Sequence, residues 1–350
     1  MAMLTGLILA GTCSEQDDLV RRLHGRSRYA MPLANRALVR YAAATLVATG
    51  VTDVAVAVSP STIADVYEMI GDGGPFGARF RYLERGASDT ALDAIVAAAA
   101  LVGDERPMLV HAGDALVASG LQRAVVELAR TRPDVIMVTE RVHSYPGAAV
   151  VGAGSRDQGL TGLDHVSPAA IISAEALREL GGFSAETETL GGTVAALAEA
   201  GLRVSERALG GCWCYAGDCD HLLEANRMIL DELPHRPFEG DLESARIEGR
   251  VAIHPSARLE RTTVRGPAVI GGGVELTDTF VGPYTAIGSD ACLEGAEIDH
   301  SIVLAGAAIR NLGHRIEASV IGADAEVARD YGMPAAVRLR VGRRSAVMLG

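Results

Sequence analysis

A chain of 350 residues with a formal net charge of -12 is long enough to bury two cores and too acidic for a broad electrostatic grip on nucleic acid or an anionic membrane, which leaves a small-molecule partner. Five cysteines make no even-numbered disulfide framework, and a chain of this size needs none, so a reducing cytoplasm is the expected compartment. Aromatics are only 4% of the residues while Ala, Gly and Val abound, a composition suited to thin, closely stacked layers.

The first eleven residues are apolar but short and lack a basic leader, so residues 4–10 read as a buried strand running into Gly11 and a polar loop, not as a signal or a membrane span. Helix and strand patterns then alternate. Residues 38–49 predict a helix, 54–58 a strand, 61–70 a helix, 90–102 an alanine-rich helix and 108–112 a strand that ends at Gly113 and Asp114. A helix at 121–129, strands at 135–139 and 169–173, and helices at 174–180, 194–201 and 222–233 complete a domain over residues 1–240. The alternation predicts an α/β fold with a Rossmann-like, doubly wound mixed sheet.

The texture changes from about residue 247 to the end at 350. Helical periodicity stops, and aliphatic residues recur at six-residue steps: Val264, Ile270 and Leu276, then Val281, Ile287 and Leu293. Gly271-Gly272-Gly273 and Gly282-Pro283 fall where a triangular coil must bend. A left-handed parallel β-helix is the expected second domain, against an ordinary sandwich of short strands, which would alternate with period two.

Several segments resemble the sugar-1-phosphate nucleotidyltransferases, in particular the long form of glucose-1-phosphate thymidylyltransferase with its C-terminal β-helix. Leu7-Ile8-Leu9-Ala10-Gly11 is similar to that family's first strand and loop entry, and Arg28-Tyr29-Ala30-Met31-Pro32-Leu33-Ala34-Asn35-Arg36 to its K-x-x-x-P-V-x-N-K/R segment. Ala112-Gly113-Asp114 resembles the strand-end G-D-N, Glu186-Thr187-Glu188 the sugar-binding E-L-E, and Leu222-Leu223-Glu224-Ala225-Asn226 the L-L-E-A-N helix. In the β-helix, Glu248-Gly249-Arg250-Val251 and Val281-Gly282-Pro283-Tyr284-Thr285-Ala286-Ile287-Gly288 are similar to the long form.

The resemblance implies transfer of a nucleotidyl group from a nucleoside triphosphate of the dTTP type to a sugar-1-phosphate, with Mg²⁺ as cofactor and a homo-oligomer as the assembly. It implies Arg28 and Asp114 as catalytic residues and Leu9, Ala10, Gly11, Ser88 and Gly113 at the nucleotide. Glu186 and Glu188 would meet the sugar, and Asp114 with Asp218 the metal. Departures from the family pattern are concentrated in the loop: where the family has G-G-x-G-T-R-L, this chain has Gly11-Thr12-Cys13-Ser14-Glu15-Gln16-Asp17-Asp18-Leu19, with one glycine and three acids. Arg21, Arg22 and Arg26 either lean back over the pocket to compensate or form a solvated helix face. Arg28 replaces a lysine, no E-K-P segment occurs between Val150 and Ser173, where Asp164 and His165 stand, and the second metal carboxylate falls on Tyr215.

Residue-by-residue alternatives stay open at this point. Asp114 can be a metal ligand at the ligand edge of the sheet or a helix N-cap, and Ser88, Asp89 and Thr90 read as a cap equally well. Cys212, Cys214, Cys219 and His221 are of zinc-ligand type but lack a C-x-x-C spacing, so buried thiols are the alternative. For the whole chain, the alternative to an active transferase is a degenerate pseudoenzyme that binds a nucleotide sugar or serves as an oligomeric scaffold. A third reading, acyl transfer on the β-helix, would use His254, His300 or His314 as base.

Overall fold

The structure is a computed structural model and describes residues 4–11, 18–86, 89–117, 119–141, 165–183, 189–215, 217–234 and 244–329. Its first domain is built on a seven-stranded mixed sheet. Strand β1 (Thr5–Ala10) lies in its interior and is wholly buried. Helix α1 (Asp18–His24), a 3-10 turn (Arg28–Ala30), and the hairpin β2 (Pro32–Leu33) and β3 (Arg36–Ala37) lead to α2 (Leu38–Ala48). Next come β4 (Asp53–Val58), α3 (Ile63–Ile70), β5 (Arg79–Glu84), α4 (Ala91–Val102), β6 (Met108–Ala112), β7 (Ala115–Val117), α5 (Leu121–Thr131) and β8 (Val135–Arg141). Then β9 (His165–Ile172), α6 (Ala174–Glu179), α7 (Leu190–Glu199), β10 (Val204–Ala208), β11 (Cys212–Cys214) and α8 (Cys219–Asp231) follow.

The order across the sheet is β10-β8-β9-β6-β1-β4-β5, parallel except for β9, which runs antiparallel to both β6 and β8. Both faces of the central strands are covered, which is why β1 and β4 read as unbroken apolar runs. On one face Ile8, Val54, Val56 and Leu109 meet Val39, Leu46, Val66 and Ile70 of α2 and α3. On the other, Leu7, Leu9, Ala55 and Ala57 meet Ala91, Ala94, Ile95 and Ala98 of α4. Alanine facing alanine there brings helix and sheet close, giving the alanine-rich composition a packing role.

The second domain stacks three five-stranded parallel sheets. One sheet contains Ala245–Glu248, Thr262–Arg265, Phe280–Val281, Glu297–Asp299 and Arg315–Glu317; the others follow it around each coil. Ala245 aligns with Thr262 and Thr263 with Phe280, so each of these coils advances 17 residues. Val264, Ile270, Leu276, Val281, Ile287 and Leu293 all point inward and are buried. This is the expected left-handed β-helix. At its corners the backbone turns through left-handed conformations at Arg261, Asp278, Tyr284, Asp290 and His300. Thr262 and Thr279 sit buried at successive corners and donate to the carbonyls of Leu276 and Leu293, tying each coil to the next.

The two domains share an apolar seam. Val20, Leu33, Leu38, Trp213, Tyr215, Leu222 and Leu223 of the first pack with Ile302 and Leu304 of the second. No helix among the described residues is long and apolar enough to cross a membrane.

Candidate active site

After β1 the chain builds β4 and β5 on one side of it, then crosses back to form β6 on the other, so the strand order reverses between β1 and β6. A crevice opens beyond the carboxyl ends of strands at such a switch point. Leu9, Ala10 and Gly11 form one lip of it and Gly113 and Asp114 the other. A side chain at Gly11 would place its Cβ 2.4 Å from the Ser59 amide nitrogen and 2.8 Å from the Val58 carbonyl carbon, so glycine is needed for backbone contact with the end of β4. At Gly113 a Cβ would lie 2.8 Å from the Leu9 oxygen, and the Gly113 amide already donates to that oxygen at 2.7 Å. Gly113 therefore brings the two lips together, and its N–H is spent on the strand end.

Asp114 is not a helix cap. The next helix is α5, whose N-cap is Gly120, and Asp114 stands instead in the tight turn between β6 and β7. Its Oδ2 lies 3.3 Å from Arg28 Nη1, across 86 residues of sequence. The two side chains are 19% and 17% exposed, so the pair is partly shielded yet open to a ligand. Arg28 is set in place from several directions. Its guanidinium lies over the Tyr29 ring at 5.9 Å, the Ser27 amide donates to Asp65 of α3 at 2.7 Å, and Met31 N donates to the Arg28 carbonyl.

Of the neighbouring cations, Arg26 turns away to Glu68 at 2.8 Å. Tyr215 donates its amide to the Asp114 carbonyl at 3.1 Å, so the tyrosine stands beside Asp114 where the family pattern has a carboxylate. Asp218 is the N-cap of α8, its Oδ1 accepting from His221 N at 2.7 Å. Thr90 caps α4 in a reciprocal box with Asp93, and the Thr90 hydrogen bonds hold the Asp93 carboxyl below its usual range. Ser88, Asp164, Glu186 and Glu188 lie outside the described residues.

Two groups at this edge escaped sequence reasoning. Arg85, buried one residue beyond β5, donates to the carbonyls of Gly11 and Asp89 and so ties the β1 lip to the entrance of α4. His111 is fully buried on β6, three residues before Asp114. Its Nδ1 lies 2.6 Å from the Ala112 carbonyl, which requires that nitrogen to carry the proton. Burial pushes its pKa down from 6.5 to about 4, so the ring is neutral in the working range.

The cysteine cluster splits across β11. Cys212 is buried and Cys214 and Cys219 are half-buried, all unbridged. Burial and the neighbouring Asp218 and Asp220 raise the Cys219 thiol, opposing the thiolate that zinc needs. Among the described residues no three His, Cys, Asp or Glu side chains gather into a metal site. In the β-helix, His254 bonds Ser256 and His300 packs edge-on against Tyr284.

Residues 24–155 match the nucleotidyl transferase family model. The match takes in Arg28, Arg85, Gly113 and Asp114. Along its whole length the chain is 28% identical to a glucose-1-phosphate thymidylyltransferase of Streptomyces griseus, covering 99% of each. It is 26% identical to the low-salt glycan biosynthesis nucleotidyltransferase Agl11 of Haloferax volcanii, covering 99% of this chain and all of that one. Over its whole length the chain is thus similar to sugar-1-phosphate nucleotidyltransferases. The fold agrees: a crystal structure from Bacillus anthracis, assigned as a glucose-1-phosphate thymidylyltransferase and holding sucrose, superposes with a TM-score of 0.51 over 64% of this chain and 94% of that one, at 16% identity.

Proposed function

We propose that the protein transfers a nucleotidyl group from a nucleoside triphosphate to a sugar-1-phosphate, using the crevice between β1 and β6. The observation that carries this reading is the Arg28–Asp114 pair at the mouth of the sheet. A cation and a carboxylate held together there are the two charges that a metal-bound polyphosphate separates. As it enters, Arg28 passes from the Asp114 carboxylate to phosphate oxygens, where a guanidinium can bind bidentately. Asp114 would then be the residue to hold a metal ion.

One carboxylate with phosphate oxygens and water fits the coordination of Mg²⁺, which keeps several waters and needs no all-protein cage. Bound there, Mg²⁺ supplies neutralisation of charge at the triphosphate and the departing pyrophosphate. In the displacement an oxygen of the sugar phosphate bonds to the α-phosphorus, the bond to the pyrophosphate oxygen breaks, and pyrophosphate leaves with its electron pair. Arg28 holds charge that grows during that step. Asp218, spent on capping α8, is a weaker candidate for the metal than Asp114. The names of the thymidylyltransferase relatives support dTTP as the first nucleotide to try, and a nucleoside triphosphate substrate would suit a cytoplasmic enzyme.

The test is pyrophosphate release from a panel of nucleoside triphosphates and sugar-1-phosphates with Mg²⁺. Asp114→Ala and Arg28→Ala should each lower turnover by roughly a hundredfold or more, the usual loss when one charge-stabilising group is removed. Turnover that survives both substitutions would sink the assignment. A second reading, binding of a nucleotide sugar without turnover, is favoured by Tyr215 beside Asp114 in place of a second carboxylate. It predicts saturable binding with no pyrophosphate from any pair of substrates.

A further inference from the structure

Arg28 sits in a stretch of chain fastened at both ends to the β-helix. Upstream, the amide of Ala323 donates to the Leu23 carbonyl of α1 at 2.7 Å. Downstream, the tip of the β2–β3 hairpin is held by two side-chain amides, one half-buried and one buried. Asn35 Nδ2 donates to the Ile287 carbonyl at 2.6 Å. Asn226 of α8, fully buried, accepts from the Ala34 amide at 2.9 Å and donates to the Tyr284 carbonyl at 3.0 Å. Both anchors belong to one face of the β-helix, where Thr285–Ile287, Ile302–Val303 and Val320–Ile321 lie on consecutive coils.

The hairpin needs this support. Its two tip residues, Ala34 and Asn35, have φ of 45° and 61°. Asparagine tolerates the left-handed region, but alanine does not favour it, so the turn is not set by its own preference. Apolar packing of Leu33 and Leu38 holds the hairpin against the seam without fixing its register. The two amides add the directional contacts that do. From the hairpin the constraint reaches the site directly, because Met31, which precedes β2, donates to the Arg28 carbonyl and accepts from Leu38 N at 3.0 Å.

We propose that Asn35, backed by Asn226, is a positioning residue through which the β-helix holds the Arg28 segment at the mouth of the nucleotide crevice. The inference rests on Arg28 meeting the polyphosphate, as proposed above. It gives the second domain a part in binding that neither lip of the crevice supplies.

Asn35→Gly is the clean perturbation, since glycine adopts the left-handed conformation freely and only the amide is lost. Full-length wild type, Asn35→Gly, Arg28→Ala and the double variant are compared for binding of dTTP with Mg²⁺, and for amide hydrogen exchange over residues 28–38. The expected result is binding weakened by roughly three- to tenfold in Asn35→Gly, the loss of one partly buried hydrogen bond, with faster exchange in the segment. On the Arg28→Ala background the same substitution should weaken binding no further, because it acts through the missing guanidinium. An equal loss on both backgrounds overturns the positioning role, as do unchanged binding and exchange in Asn35→Gly. Arg28→Ala that binds like wild type has a different signature: it is seen whatever stands at residue 35, and it overturns the reading of the site itself together with the inference built on it.

Discussion

His111 lies three residues from Asp114 and is fully buried, so its protonation should be paid in stability. The native ring has a pKa of about 4 against the usual 6.5. A group depressed in this way costs nothing above the unfolded value; as pH falls below 6.5, the unfolded chain takes up a proton that the native protein refuses. Between about pH 7.5 and pH 5 the unfolded state gains nearly one proton at this side chain and the native state almost none, which amounts to about 2 kcal/mol of lost stability. The loss would level off at about 3 kcal/mol once the pH is below both values. Carboxylates held low by arginine, such as Asp53 and Asp134, keep their contribution above the unfolded carboxylate value near 3.8 and lose it only below, outside this window. His24 is also depressed, by burial and then by Arg26, so wild type alone is ambiguous. The comparison is therefore with His111→Phe, which keeps a ring of similar volume and leaves His24 in place. Urea unfolding followed by the fluorescence of Trp213, the single tryptophan and part of the first domain, reads the right transition. Wild type should lose about 2 kcal/mol more than His111→Phe between the two pH values. Identical pH dependence would show that the ring protonates in place, and the argument from burial would be wrong.

Two further outcomes follow from packing. Gly11→Ala drives a Cβ into the Val58 and Ser59 backbone, which cannot rotate aside, so the first domain should lose about 2 kcal/mol or more in the same unfolding assay, and nucleotide binding should weaken as the β1 lip is pushed from β4. Leu293→Ala opens a void among Leu276, Leu293 and Ile309 on consecutive coils and should cost the β-helix about 2–5 kcal/mol by thermal unfolding, with little change in the Trp213 transition if the domains melt independently.

The fold was legible where periodicity was strong. The buried runs of β1, β4 and β6 and the six-residue recurrence in the β-helix each follow from an environment that every turn or coil repeats. Strand β5 was missed because Arg79 and Arg81 interrupt its apolar pattern; it is an edge strand, and both arginines pair with Asp53 on its neighbour. The antiparallel course of β9 left no local mark, since a strand buried between β6 and β8 reads alike in either direction. Arg28 was named only through the family resemblance, whereas Asp114 also stood out by its place just past the end of a strand, at the ligand edge of the sheet. No spacing rule joins two residues 86 apart, and the ion pair is a property of the folded crevice. Arg85 had no signal at all: a lone arginine after a strand looks like surface charge until the carbonyls of Gly11 and Asp89 are seen around it.

Arg85 also bears on the loss of glycines that separates this chain from the family pattern. A glycine-rich loop serves by turning several amides toward phosphate without steric cost. Here the entrance to that loop is fixed by a buried guanidinium gripping the Gly11 carbonyl, while Thr62 donates to the Ala10 carbonyl at 2.8 Å. Side chains thus hold the C-terminal end of β1 by its carbonyl oxygens. Arg85, being a cation under the lip, also contributes positive potential where a polyphosphate would arrive, with Arg28 facing it from the β6 side. Under the proposed function, a mouth held in this way would depend less on amides to attract an anion and more on two arginines, Arg85 fixed in the wall and Arg28 paired with Asp114. On the proposed reading, the charge of Arg28 and Arg85 does at this mouth part of what loop amides do in the family pattern.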